Sequence, residues 1–245
     1  MRLSSRIQLT VLGSLLLAGM SSAVEVHTLR SGNGLPGGPD SQVTYEFLSA
    51  ETEHNIPLTP ADFAAAQGGP LANILPYVIS VWTPNLSTDP LAQWISDTGD
   101  PYTGSTCLYA INFNVSAATV TSATLDFLFL SDNWVGEVWN PINEGLYING
   151  GVISGTSAGN YANETLWSGL DVSALVTPGI NTLYILGTDV GGPGGLNFSA
   201  TVTINGDGTS GTEDRPVAFG LGDSFPNPFN PATTIPFTLS TTGDA

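Results

Sequence analysis

The chain has 245 residues, only 10% of them charged, and its 21 acids face four arginines and no lysine, for a formal net charge of −17. So few cations exclude a nucleic-acid binder, which must neutralise phosphates. The scarcity of Lys and Arg at helical spacing also excludes a coiled coil or helical bundle. With 41% apolar residues there is material for a real core, while 29 glycines and 17 prolines among many Val, Ile, Thr and aromatic residues point to strands joined by turns.

Residues 1–23 read as a secretory signal peptide: Arg2 and Arg6 form a positive head, Ile7 to Leu17 an apolar run, and Ser21 and Ala23 the small residues of a cleavage site. That run is far short of the roughly 20 residues that span a bilayer, so no membrane span is expected after cleavage. Residues 24–42 are rich in Gly and Pro and are expected to be a flexible leader. A β-sandwich domain is expected over 43–205. Its strand candidates are Val43 to Leu48, Leu75 to Trp82, Cys107 to Val115, Ala123 to Leu130, Thr165 to Leu170, Thr182 to Thr188 and Leu196 to Ile204. Ala61 to Gln67 reads as one or two helical turns between Pro60 and Gly68. Asn149-Gly150 reads as a type I′ hairpin turn between Gly145 to Ile148 and Val152-Ile153. Residues 206–218 are polar and Gly-rich, a linker, and 219–245 form a short second unit.

The chemistry-bearing residues are few. Cys107 is the only cysteine, so no intramolecular disulfide forms, and it reads as a buried structural thiol. There is no GxSxG, no HExxH and no phosphate-binding glycine loop, and no catalytic residue is assigned. Asp171 is expected to cap the turn at Ser173 to Val176. Trp94 and Trp167 are expected in the core or at its edge, and Trp82 is ambiguous. The segment Ser131 to Glu144 stands out. It sets Asp132, Asn133 and Glu137 beside Trp134 and Trp139, and an aromatic face with amide and carboxylate acceptors is the chemistry that grips a sugar. The same segment offers Asp132, Glu137 and Glu144 as oxygen ligands for Ca²⁺, although no EF-hand spacing is present. The alternative is that the tryptophans pack over an open end of the sandwich and the acids are solvated.

Two resemblances add to this. The run Leu221 to Leu239, with its core Pro226-Asn227-Pro228-Phe229-Asn230-Pro231, resembles the opening of the type IX secretion C-terminal sorting domain, which is similar to the Ig-like domain of flagellar hook-capping proteins. It implies contact with a secretion machinery and a first strand with Ile235, Phe237 and Leu239 alternating. It covers only about 25 residues, so an incomplete Ig-like segment is expected. Residues 70–205 resemble the galactose-binding-like, jelly-roll β-sandwich modules of exported bacterial surface proteins. The matching pieces include Ala92-Gln93-Trp94-Ile95, Tyr147-Ile148-Asn149-Gly150, Asp171-Val172-Ser173 and Pro178-Gly179-Ile180-Asn181. The expectation is therefore an all-β, acidic, exported or cell-surface protein without catalytic activity, its partner a carbohydrate or another surface protein. A purely structural or adhesive component, or an accessory fragment of a longer secreted hydrolase, is the alternative.

Overall fold

The computed structural model describes residues 22–209 together with the short strands Gly220–Leu221 and Phe237–Thr238. The signal-peptide pattern and the Pro226 to Pro231 motif lie outside the described residues. The strands are β1 (Ser22–Arg30), β2 (Pro39–Ala50), β3 (Leu71–Ile74), β4 (Ile95–Ser96), β5 (Ser105–Val115), β6 (Ala117–Asp132), β7 (Trp134–Val135), β8 (Leu146–Ile148), β9 (Gly151–Ile153), β10 (Thr165–Asp171), β11 (Gly179–Thr188) and β12 (Gly195–Thr209), with one helix, α1 (Pro60–Gln67), after β2. Every pairing is antiparallel. The order runs β10-β6-β12-β4-β3-β2-β5-β11-β8-β9, with β1 on β12 and β7 on β11, so the sheet wraps almost into a barrel. The all-β antiparallel expectation holds. The two strands beyond residue 209, β13 (Gly220–Leu221) and β14 (Phe237–Thr238), pair antiparallel with each other.

The core follows from strand alternation. In β12, Phe198, Ala200, Val202 and Ile204 are buried while Ser199, Thr201 and Thr203 between them are partly exposed. They meet Leu125, Phe127 and Phe129 of β6 and, from the facing layer, Tyr109, Ile111 and Phe113 of β5 and Leu183 and Ile185 of β11. β5 and β11 are buried on both sides, which explains their nearly continuous apolar runs. Their second faces, Leu108, Ala110, Tyr184 and Leu186, pack with Tyr147 and with Ala66 of α1. Cys107 lies in the central cluster, and burial pushes its thiol well up. Asn149 and Gly150 both have positive φ (53° and 80°), as a type I′ turn requires.

Three boundaries differ from expectation. First, residues 24–42 are not a loose leader. β1 lies along nine residues of β12, with Glu25, His27 and Leu29 turned inward between exposed Val24, Val26 and Thr28. The Gly/Pro stretch that follows is a tied turn. Asp40, fully buried, accepts the backbone N–H groups of Gly32 (2.6 Å), Asn33 (3.3 Å), Gln42 (2.8 Å) and Val43 (3.1 Å). Second, Leu75 to Trp82 is not a strand. Pairing ends at Ile74, and 75–94 is an irregular cover laid over the outer face of β6, where Leu75, Trp82, Leu86 and Trp94 pack on Leu128 and Leu130. Only Leu75 and Trp82 at the ends of the run are buried, Tyr77 and Val81 between them are exposed, and Pro76 and Pro84 oppose a ladder there. Trp82 and Trp94 stack at 4.2 Å, both buried. Third, residues 206–209 belong to β12 rather than to a linker. The described packed body thus runs from β1 through β12. Among the described residues no helix is long and apolar enough to cross a membrane.

One buried acid is at odds with its surroundings. Asp189, 1% exposed, accepts the Gly191 N–H with Oδ1, while Oδ2 is buried without a hydrogen-bond partner beside Gly104 and Gly194. Burial pushes its carboxyl up to about 6. A carboxylate whose folded-state value is raised withdraws stability as pH climbs from about 4 through about 6, on the order of 2–3 kcal/mol in all. Asp189→Asn is therefore expected to stabilise the protein by about 1–3 kcal/mol near neutral pH, with the gain shrinking toward about pH 4. Urea denaturation of both proteins across this range measures it; a pH-independent difference would contradict the assignment.

Candidate functional site

The residues singled out between Ser131 and Glu144 are placed by the reversal of chain direction after β6. β7 returns onto Gly187 and Thr188 of β11, and the chain then runs in a loop to β8. Asp132 is buried and accepts the Trp82 indole N–H at 2.8 Å. Burial raises its carboxyl and that hydrogen bond opposes the rise. Asn133 donates its N–H to Thr188 (2.9 Å) and accepts the Val190 N–H at Oδ1 (2.8 Å). Asp132 is thus turned into the fold, and half-buried Asn133 ties the chain to the end of β11.

Glu137 is fully buried. Its Oε1 accepts the Asn55 N–H (2.7 Å), and its Oε2 accepts those of Asn143 (2.8 Å) and Ile142 (3.2 Å). Glu144 accepts the N–H groups of Gly155 (3.1 Å) and Thr156 (2.8 Å). The expected cation triad of Asp132, Glu137 and Glu144 is therefore not assembled. Each acid binds N–H groups of a different segment, and among the described residues no group of three His, Cys, Asp or Glu side chains is arranged to hold a metal ion.

What the loop does present is Trp139, 70% exposed, with Trp134 half-buried and edge-on to it at 5.1 Å between ring centroids. The pair is not a flat platform; only the Trp139 ring is open. Its backbone is held by a residue that sequence reading passed over. Glu53, buried, accepts the N–H groups of Val138 (2.6 Å) and Trp139 (2.7 Å) at Oε1 and of Asn140 (2.9 Å) at Oε2. Asn143 completes the lacing, accepting the Leu58 N–H (2.9 Å) and donating to the Ile56 carbonyl (2.8 Å), while the Asn140 amide donates to Asn55 Oδ1 (2.9 Å). The result is a shelf of exposed Ile56, Val138, Trp139 and Ile142 bordered by the exposed amides Asn55 and Asn140. Nothing in the sequence joins Glu53 to Trp139. A lone acid 86 residues away carries no local signal.

Beside the shelf, on the outer face of β11, lies an open cleft of about 530 Å³. α1 supplies Pro60, Phe63, Ala64 and Gln67, the hairpin turn supplies Asn149 and Gly150, β11 supplies Ile180, Thr182 and Tyr184, and Leu58 forms the rim. Phe63 is its aromatic floor, packed on Tyr147 (5.1 Å) and Tyr184 (4.9 Å). Asp62 secures α1 by accepting the Thr59 N–H and hydroxyl, both at 2.7 Å. Gln67 donates to Thr182 Oγ1 (2.9 Å). The sequence held α1 and the hairpin turn as separate features, and only the fold brings them together.

Of the remaining expectations, Asp171 accepts both the N–H (3.0 Å) and the hydroxyl (2.6 Å) of Ser173, and these bonds hold its carboxyl below the usual range. Trp167 packs on Phe127 and Phe129.

Hydrogen bonds to a charged acceptor contribute about 1.5–3 kcal/mol each, and a buried N–H left without one costs about as much. Glu53→Gln keeps the shape but sets an amide NH₂ against N–H donors. It is expected to lower unfolding free energy by about 2–4 kcal/mol and to change the emission of Trp139, as read by denaturation and by fluorescence.

Scans against protein-family models and against curated proteins find no match to this chain.

Proposed function

We propose that this protein is a non-catalytic carbohydrate-binding module of an exported or cell-surface bacterial protein, and that Trp139 is its principal contact. The observation that carries this reading is an indole 70% exposed on a loop whose backbone is locked by two buried carboxylates. A fixed aromatic ring loses little freedom on binding and offers an apolar face to the C–H groups of a sugar, while Asn55 and Asn140 offer amides to its hydroxyls. Glu53 and Glu137 spend their oxygens on backbone N–H groups, so the shelf presents no free pair of carboxylates for glycosidic chemistry. The signal-peptide pattern of residues 1–23 and the resemblance of 221–239 to a sorting domain support export.

The second reading, an adhesive or structural surface component, draws support from the neighbours of Trp139: Ile56, Val138 and Ile142 are all exposed and make the shelf more apolar than a sugar requires.

A glycan-array screen of the full chain separates the two. Saturable binding that falls at least tenfold in Trp139→Ala, with unchanged thermal unfolding, is expected on the sugar reading, and the same binding is expected in chelator as in calcium. Absence of binding to every glycan would favour the adhesive reading.

A further inference from the structure

The shelf and the cleft are two parts of one surface. Leu58, on the cleft rim, donates its N–H to Asn143 Oδ1 at 2.9 Å, and Asn143 directly follows Ile142 of the shelf. Chain connectivity holds Trp139 and Leu58 within about 20 Å of each other. Ile56, exposed, lies on the stretch that joins them. At the far side the hairpin turn lies against the same ring, since a Cβ built on Gly150 would be in ordinary contact with Phe63 Cδ2 at 3.4 Å.

The cleft lining is uncharged in a strongly anionic molecule. No cleft-lining residue is ionisable apart from the Tyr184 phenol, which burial pushes up. The two acids beneath the shelf are buried and engaged with N–H groups. Arg30, the one arginine among residues 22–209, pairs with Asp89 at 3.0 Å. A uronic-acid or sulfated chain would meet the field of a −17 protein and no free guanidinium to offset it.

Resting on the sugar-binding reading, we propose that the ligand is an uncharged glycan chain lying across both stations, one ring on Trp139 and a later one over Phe63 with Gln67 and Thr182 beside it, rather than a single terminal sugar. Binding at two linked stations makes affinity grow with chain length until both are filled. It also makes binding insensitive to salt, because no ion pair forms.

Isothermal titration of the full chain with a ladder of neutral linear glucan and xylan oligosaccharides, and a matched ladder of polygalacturonate, tests this. Affinity is expected to rise at least about tenfold along a neutral ladder and to be unchanged by added salt, with polygalacturonate binding at least about tenfold more weakly. Trp139→Ala should weaken every neutral oligomer. Ile180→Asp, which puts a charge at the 72% exposed cleft edge, and Gln67→Ala should weaken only the longer ones. Length-independent affinity that is still lost in Trp139→Ala would overturn the two-station proposal and leave the shelf as a sugar site. Polygalacturonate binding as tightly as the neutral series would overturn it as well. Failure of every oligomer to bind would overturn this proposal and the sugar reading together.

Discussion

A chain with almost no cations has to find another partner for its acids, and this one uses its own backbone. Asp40 gathers four N–H groups, Glu53 three, Glu137 three, and Glu25 binds those of Ser116 and Ala117. A buried carboxylate costs several kcal/mol in lost hydration, and only several directed donors offset that cost. Peptide N–H groups can do so in loops, where no ladder uses them. The irregular segments of this protein are accordingly organised around single acids, each serving as the hub of a turn. Asp189, with one oxygen unserved, is the counterexample, and burial lifts its carboxyl to about 6.

This mode of construction decides how much could be read beforehand. The alternation of Phe198 to Ile204, the two-faced run of Cys107 to Val115 and the Asn149-Gly150 turn are local patterns, and each becomes the element its period implies. Leu75 to Trp82 has the same apolar density but sets only Leu75 and Trp82 firmly against β6, and apolar density alone does not separate a strand from an irregular cover. β1 was obscured by the Gly/Pro stretch after it, because the residue that turns that stretch into a defined bend, Asp40, lies at its far end. Hubs of this kind act over long separations, so composition and spacing are blind to them.

The candidate site shows the same division. Trp134 and Trp139 were legible as the place where something unusual happens, and the fold does expose Trp139 there. Their acidic neighbours were legible only as acids. Asp132, Glu137 and Glu144 turn out to hold the frame, while the amides at the rim, Asn55 and Asn140, and the whole aromatic cleft come from segments read as unrelated. Residue type announces what a side chain is able to bind; whether it is already bound is a property of the fold.

The dependence of the Trp139 loop on Glu53 also bears on modularity. The loop's ring sits between β7 and β8, but the carboxylate that shapes it follows β2, and the two meet across the pairings of β2 with β5, β5 with β11 and β11 with β7. The segment 134–144 therefore carries both what the surface offers, Val138 and Trp139, and part of what holds it, Glu137 and Asn143. The segment after β2 is likewise mixed, with Glu53 as support and Asn55 and Ile56 at the surface, so neither segment can be exchanged alone without altering both the face and its footing.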